Sequence, residues 1–370
     1  MRLLALAGDI DALIAQIRLV TPLTALARER GWSLTLRSFH DCTRADLAAC
    51  EVLVVQRGAS ARVLRLQQIA RQPGAAVVYE IDDLLTEIAP HISNQAAVRR
   101  QQALLRRCMA HADAITVSTA RLGRELALPD ALEVPNHALA LGELALPAAV
   151  AGQPVTLLFA SSDRLAAEFI YPVLRVLQGV RVVVIGPPGA AFEAAGIEVQ
   201  RQPLMPRERF VAFARGLRNP LAVIPLEDSR FAACKSAVKW FDYAEAGIPT
   251  LCSAVSPYAQ VIDDRVTGWL VANESAAWAA ALQAAVNDGQ GRARVAVAAR
   301  AAVRERHTLA HTVAAWQRAI ETALTRRASA PLPAPGWRWQ LHDALDRRFE
   351  AAWLGLRAFN RARLARRSRR

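Results

Sequence analysis

Short apolar runs alternate with helix-like segments along most of the chain, and this alternation constrains the fold more than any other feature. Residues 2–83 carry four such runs, RLLALAG, WSLTLRSF, CEVLVVQRG and AAVVYEIDD, separated by segments with helical periodicity. Strands that alternate with helices form βαβ units, in which the strands are parallel and helices cover both faces of the sheet. The sequence therefore predicts an α/β fold with doubly wound, Rossmann-like sheets.

The alternation is interrupted once near the middle of the chain and once near its C-terminus. Residues 138–154 are rich in alanine, proline and glycine, and residues 328–336 read ASAPLPAPG, which are compositions typical of connections. Between these breaks the cycle starts again with VTLLFASSD. We predict one Rossmann-like domain at 1–150, a second at 151–327, and a proline-rich linker with a basic tail at 328–370.

The positive charge is concentrated in the tail. Of the net charge of +13, residues 337–370 carry +7, from ten arginines against three acidic residues. Apolar residues recur there every three to four positions, which predicts an amphipathic helix. Such a helix suits an anionic membrane surface, or else packs onto the body of the protein. The rest of the chain is only mildly basic, so we predict no nucleic-acid partner.

Cysteine usage and hydropathy indicate where the protein works. Its five cysteines form an odd set without CxxC spacing, which disfavours a disulfide framework and a zinc site. No run of about 18 apolar residues is present, so no transmembrane helix is predicted. We expect a cytoplasmic protein, attached peripherally to the inner face of the cell membrane if the tail docks there.

Lysine occurs only at positions 235 and 239, whereas arginine occurs 44 times. Residues four apart share one face of a helix, so both ammonium groups are expected to point at one target. An ammonium is a compact charge with three donors, and it suits a phosphate deep in a cleft better than a planar guanidinium does. We interpret Lys235 and Lys239 as phosphate ligands; a chance pairing on a solvated helix is the alternative.

Loops that follow strands are expected to form the ligand site, because open α/β sheets bind ligands at the carboxyl ends of their strands. A helix that follows such a loop adds the attraction of its N-terminal N–H groups for anions. Asp242, on nearly the same predicted face as Lys235, is a candidate acceptor for ribose hydroxyls, or a solvated carboxylate or salt-bridge partner. The other candidates from these loops are Ser161, Ser162, Arg164, Gly186, Ser256 and Tyr258.

The block from Lys235 to Val271 contains the turn Gly247-Ile248-Pro249 and the run DRVTGWLV. It resembles the donor-binding half of GT-B glycosyltransferases, especially those of family 4. The upstream segments YEIDDLL, ADAITVST and VPNH are similar to the acceptor-side domain of bacterial members. The resemblance touches residues 1 to 325 and implies two Rossmann-like domains facing a cleft, with a nucleotide diphosphate sugar as donor.

The resemblance also assigns roles within that block. The family has two glutamates eight residues apart, the second of which holds the donor ribose and lies five residues before a glycine; Asp242 matches it. The first glutamate falls at Cys234, where this chain departs from the pattern. Of the Arg and Lys that commonly clamp the diphosphate in the family, only Arg164 has a counterpart, which leaves the lysine pair to take over that task.

In the first domain, Asp82 and Asp83 follow the strand AAVVYEI at its carboxyl end. They are candidates to bind or deprotonate an acceptor hydroxyl, although paired carboxylates also suit Mg²⁺ or a helix cap. Glycosyl transfer needs the leaving diphosphate stabilised as its charge develops, which fixed cations and a helix N-terminus can supply. We therefore predict no obligatory metal and no cofactor besides the sugar donor.

The predicted function is transfer of a sugar from a nucleotide diphosphate sugar to a glycan or lipid-linked acceptor. The resemblance implies a hexosyl- or related glycosyltransferase, retaining in outcome, that acts in bacterial surface polysaccharide or glycoconjugate assembly. One alternative is a catalytically silent GT-B-like binding or scaffold protein, which Cys234 in place of glutamate favours. The other is a nucleotide-sugar epimerase of the same fold.

Overall fold

The computed structural model describes four stretches of the chain, 1–87, 95–142, 152–161 and 168–327. The predicted basic tail and the proline-rich linker before it lie outside the described residues.

The chain divides into two compact units, each built on its own parallel sheet. Helices cover both sheets, so the predicted pair of Rossmann-like domains is confirmed. The units interleave along the sequence, because segments from the first half belong to the second unit and most of the last helix belongs to the first. Among the described residues, unit 1 holds 1–117, 128–133 and 313–327, and unit 2 holds 118–127 and 134–312.

Unit 1 has a six-stranded sheet in the order β2-β1-β3-β4-β5-β6. Every position of β3 and β4 is buried, as expected of parallel strands covered by helices on both faces. The four apolar runs singled out in the sequence become its first four strands. The strands are β1 (Arg2–Ala7), β2 (Ser33–Ser38), β3 (Val52–Gln56), β4 (Ala76–Ile81), β5 (Ala114–Val117) and β6 (Leu132–Glu133).

Polar caps begin two of the helices that cover this sheet. The Thr43 hydroxyl accepts from Asp46 N while the Asp46 carboxylate accepts from Thr43 N, and Ser60 Oγ accepts from Val63 N. These bonds satisfy amides that the first helical turn leaves without an internal partner. The helices are α1 (Leu13–Ala15), a π-helical turn (Gln16–Val20), α2 (Thr21–Arg30), α3 (Arg44–Ala49), α4 (Ala61–Arg71) and α5 (Gln95–Ala110).

Unit 2 has a second six-stranded parallel sheet in the order β12-β11-β10-β7-β8-β9. The chain runs outward from β7 through β8 to β9, then returns to β10 beside β7 and runs outward the other way. The β7–β10 pair is therefore the point at which the winding direction changes. The strands are β7 (Val155–Ala160), β8 (Val180–Ile185), β9 (Gln200–Gln202), β10 (Pro220–Ile224), β11 (Thr250–Ser253) and β12 (Trp269–Val271).

Two apolar layers hold the unit 2 helices against the two faces of this sheet. Trp240 and Tyr243 lie in one layer, and Phe159 and Trp278 lie in the other, all at most 1% exposed. The helices are α6 (Ala120–Glu125), α7 (Tyr171–Leu174), α8 (Gly189–Ala194), α9 (Arg207–Arg215), α10 (Arg230–Ala233), α11 (Val238–Glu245), α12 (Tyr258–Val261), α13 (Ser275–Asn287) and α14 (Gly289–Arg306). The last helix, α15 (Leu309–Arg326), begins in unit 2, and its residues from 313 onward belong to unit 1. Within the described stretches, none of the helices has the length and apolarity needed to cross a bilayer.

Candidate functional site

The two lysines do not share a helix, so the prediction of a common helix face was wrong. α10 ends at Ala233 and α11 begins at Val238, which leaves Lys235 in the connection and Lys239 in the first turn of α11. Ala237, at the start of α11, has φ −82° and ψ 27°, outside the helical range, and interrupts the periodicity. The predicted helical alignment of Lys235 with Asp242 fails for the same reason.

Lys239 joins the start of α11 to the neighbouring strand. Its Nζ donates to the backbone carbonyl of Ala160, the last residue of β7, over 2.9 Å. Because α11 follows β10, this bond spans the point where the winding direction of the sheet changes, which is where open α/β sheets bind ligands. Burial, together with the charge of Lys235, lowers the pKa of the Lys239 ammonium to about 8.

Lys235 contributes a second cation to the same region. Its Nζ lies 5.0 Å from the centroid of the Phe231 ring, within the range of a cation–π contact. The N-cap of α11, Ala237, provides no side-chain hydrogen bond to the helix, and the first turn of a helix carries N–H groups without intrahelical acceptors. Two ammonium groups and a helix N-terminus thus favour an anion here.

The loops after β7 and β8 touch through their backbones. Ser161 N donates to Ile185 O over 3.1 Å, and a Cβ added to Gly186, which has φ +95°, would lie 2.2 Å from Ser161 O. Glycine is therefore required at 186. Ser162 and Arg164 lie outside the described residues, so their predicted contacts with the ligand stay predictions, as do those of Ser161 and Gly186.

Ser256 and Tyr258 follow β11 and are engaged within unit 2. Ser256 Oγ donates to Ala233 O, the carbonyl at the end of α10, over 3.0 Å. Tyr258 is only 4% exposed and belongs to the apolar core, and burial raises the pKa of its hydroxyl well above the usual value. Their predicted ligand contacts stay predictions. In the structure, Ser256 binds a backbone carbonyl and Tyr258 packs in the core.

Asp242 is held by a partner that the sequence did not indicate. Arg207, the first residue of α9, donates through Nε to Oδ2 over 2.7 Å and through Nη2 to Oδ1 over 2.5 Å. Leu139 N also approaches Oδ1 at 3.4 Å, and burial raises the pKa of the carboxyl. The ribose-binding role of Asp242 stays a prediction, and a hydroxyl would have to share oxygens that already accept from Arg207.

In unit 1, Asp82 and Asp83 are bridged by Arg57, which follows β3. Arg57 Nη2 donates to Asp83 Oδ2 over 2.6 Å, and Arg57 Nε pairs with Asp82. Although burial acts to lower it, the two carboxylates raise the pKa of Arg57 above its usual value. Arg57 has φ +53°, an uncommon conformation outside glycine that no pattern in the sequence predicts. The catalytic role of both carboxylates stays a prediction.

A completely buried ion pair involves Glu80, which lies two residues before Asp82. Arg18 Nε donates to Glu80 Oε1 over 2.7 Å, with neither side chain exposed. The indole of Trp316 donates to Arg18 O over 2.9 Å, which fixes the π-helical turn that carries the arginine. Burial outweighs the attraction of Arg18 and raises the pKa of Glu80 to about 7.

No set of three or more His, Cys, Asp or Glu residues in the described stretches is placed to hold a metal ion. The predicted independence from metal stays a prediction, because it concerns the reaction and the bound diphosphate rather than a protein site alone.

Comparisons with known proteins bear on both units. Residues 164–318 match the family described as "Glycosyl transferase-like", and no curated protein matches the chain in sequence. HepE of Anabaena, solved with UDP and glucose, aligns with 87% of this chain and 100% of its own at 14% identity and a TM-score of 0.62.

Two further solved structures share the fold. Sucrose-phosphate synthase of Thermosynechococcus elongatus aligns over 88% of this chain and 99% of its own, at 13% identity and a TM-score of 0.66. A putative UDP-N-acetylglucosamine 2-epimerase of Listeria monocytogenes aligns over 90% and 99%, at 10% identity and a TM-score of 0.54. Residues 164–318 are thus glycosyl transferase-like in sequence and the chain has the GT-B fold, which confirms the resemblance to GT-B glycosyltransferases, whereas family 4 stays a prediction.

Proposed function

We propose that the protein is a glycosyltransferase whose unit 2 binds a nucleotide diphosphate sugar at the carboxyl ends of β7 and β10. The observation that carries the proposal is the position of Lys239, bonded to the Ala160 carbonyl at the end of β7 in the first turn of α11. With Lys235 nearby, these groups match the double negative charge of a diphosphate. The sequence match of residues 164–318 supports the same assignment.

These cations would act on the leaving group. As the bond between the anomeric carbon and the diphosphate oxygen breaks, negative charge grows on the diphosphate, and cations already fixed in place stabilise that charge without reorganising. Binding and leaving-group stabilisation then depend on the same lysines. Loss of either ammonium is therefore expected to weaken donor binding and to slow transfer.

On the acceptor side, Asp83 makes the contact with a hydroxyl. Its side chain is 26% exposed, whereas that of Asp82 is 3% exposed. Arg57 donates to both carboxylates and so holds them in place. Orienting the hydroxyl as a hydrogen-bond acceptor is consequently the role that suits Asp83, with Arg57 and Asp82 holding it in position.

The finer features of the proposal follow from the family resemblance. They are a hexosyl or related sugar, retention of anomeric configuration, and a glycan or lipid-linked acceptor in bacterial surface polysaccharide or glycoconjugate assembly. HepE, which shares the fold, was solved with UDP-glucose, and this makes UDP-glucose the first donor to test.

Peripheral membrane attachment through residues 337–370 completes the proposal. Sedimentation of the full chain with anionic vesicles at low and high salt tests it, and absence of binding at both would contradict it.

Isothermal titration with UDP, GDP and ADP tests the donor site. Lys235→Ala and Lys239→Ala are each expected to weaken binding of the preferred diphosphate at least tenfold. Arg294→Ala removes a cation whose side chain is 72% exposed on α14 and serves as the matched control, with a change below twofold. Equal affinities for all three proteins would refute the donor site.

The two alternative functions differ from glycosyl transfer in what happens to the nucleotide sugar. The epimerase alternative is favoured by the fold shared with the putative epimerase of Listeria, and it predicts interconversion of a nucleotide sugar without an acceptor, visible by NMR. A silent binding protein would bind the diphosphate but turn over no sugar from any donor. Release of UDP that depends on an added acceptor supports the glycosyltransferase.

A further inference from the structure

The connection between α10 and α11, which presents Lys235, is held by hydrogen bonds from three other segments of unit 2. Ser256 Oγ donates to Ala233 O over 3.0 Å, and Thr119 Oγ1 donates to Cys234 O over 3.0 Å. Asn136 Nδ2 donates to Ser236 Oγ over 2.6 Å. Donors from separate parts of the sequence thus hold the residues on both sides of Lys235.

The segment that carries Thr119 is itself anchored at both ends of α6. Thr119 Oγ1, besides donating to Cys234 O, accepts from Leu122 N over 3.2 Å as the N-cap of α6. At the other end of α6, Arg230 Nη2 donates to Glu125 O over 3.2 Å, and the two side chains form an ion pair. Because Arg230 begins α10, α6 and the connection after α10 are tied together at two points.

The segment that carries Asn136 is equally fixed. Asn136 is 5% exposed, and its neighbours are bonded to the C-terminal part of unit 2. Thr312 Oγ1 donates to Pro135 O over 2.9 Å, and Ala138 N donates to His307 O over 2.8 Å. Asn136 is therefore a rigid donor, able to fix the position of Ser236.

We infer that Thr119, Asn136 and Ser256 are positioning residues that fix Lys235 for the diphosphate, an inference that rests on the proposed function. A lysine side chain loses rotamer entropy when a ligand orders it, and a connection outside regular helix adds backbone freedom. Holding the backbone on both sides of Lys235 removes part of the ordering cost that binding would otherwise include. The positioning role of Ser256 acts through the Ala233 carbonyl, and its predicted ligand contact stays a prediction.

A double-mutant cycle separates positioning from general stabilisation. The measurement is the Kd of UDP by isothermal titration, with Tm recorded for each variant. Thr119→Val is expected to weaken UDP binding five- to tenfold, and Asn136→Ala to weaken it similarly. In a Lys235→Ala background, each is expected to add less than twofold, because the group they position is gone.

Thr43→Val is the matched control, since Thr43 caps α3 in unit 1 and makes the same kind of N-cap bond. It is expected to lower Tm about as much as Thr119→Val does while leaving the Kd of UDP within twofold. Thr119→Ser keeps the hydroxyl and is expected to retain the parent Kd. If Thr119→Val does not fold, Asn136→Ala carries the cycle.

The possible outcomes are distinct. If the full five- to tenfold loss persists in the Lys235→Ala background, the residues act on stability alone and the inference is overturned. The same holds if Kd is unchanged in the parent background. If Lys235→Ala itself leaves the Kd of UDP unchanged, Lys235 is not a diphosphate ligand and the positioning role is overturned, whereas the donor site is refuted only if Lys239→Ala also leaves the Kd unchanged.

Discussion

Replacing Lys239 with methionine is expected to stabilise the protein while removing nucleotide binding. Methionine is unbranched and similar in length to lysine, and it has no charge to desolvate. Lys239→Met therefore tests whether the ammonium is retained in its buried position at a cost in stability. Functional sites commonly show such opposition between stability and activity.

The magnitude follows from the pKa of the ammonium. A change from 10.5 in the unfolded chain to about 8 in the folded protein corresponds to roughly 3 kcal/mol of destabilisation below pH 8. The substitution also removes the hydrogen bond to Ala160 O, worth about 1 kcal/mol. We expect Lys239→Met to raise the free energy of unfolding at pH 7 by about 2 kcal/mol.

The effect has a defined pH dependence. Between pH 8 and 10.5 the unfolded parent binds the Lys239 proton and the folded parent does not, so parent stability rises with pH in that window. The advantage of Lys239→Met should accordingly shrink from pH 8 to pH 10.5. Urea denaturation at pH 7, 8 and 9.5 measures it for both proteins. A variant less stable than the parent at pH 7, or a difference independent of pH, would refute the reasoning.

Three further predictions concern stability. Arg207→Met leaves the buried carboxylate of Asp242 without its cation, and urea denaturation should show that the free energy of unfolding falls by about 3–5 kcal/mol. A fall below about 1 kcal/mol would contradict the importance of this pair. Gly186→Ala should lower the free energy of unfolding by more than about 2 kcal/mol, because the added Cβ would clash with a backbone oxygen. Gly196, with φ +75°, has no atom within 4 Å of an added Cβ, so Gly196→Ala should lower it by about 1 kcal/mol. Equal losses would show that the loop after β8 moves to relieve the clash. The folded parent retains the Glu80 proton up to about pH 7, so its free energy of unfolding falls as pH rises from 4.5 to 7. Glu80→Gln should flatten this part of the plot of stability against pH. Parallel plots for the two proteins would contradict the prediction.

The sheets could be predicted from the sequence because their strands are buried on both faces. Such strands appear as continuous apolar runs, and the runs at β1, β3 and β4 stand out against their flanks. The loops at the carboxyl ends follow directly once the strands are located. The interleaving of the two units could not be predicted in this way, because hydrogen bonds from side chains such as Thr119 and Asn136 determine where 118–127 and 134–142 pack.

The site was less predictable than the fold. The helix break between Lys235 and Lys239 carries neither glycine nor proline, so the usual signals of a helix end are missing. Tertiary bonds hold the connection open in place of a local signal. Arg207 and Arg57 could not be identified as partners of the carboxylates, because two arginines among 44 carry no distinguishing pattern and their partners lie 35 and 25 residues away.

The hydroxyl of Thr119 couples the motion of α6 to the motion of the connection between α10 and α11. One oxygen atom both begins α6 and bonds the carbonyl of Cys234, so the order of the first turn of α6 and the order of the connection before Lys235 are thermodynamically linked. Linkage is reciprocal. An anion that orders Lys235 would slow hydrogen exchange at the amide of Leu122. Conversely, fraying of the first turn of α6 would weaken binding of the anion by the same free energy.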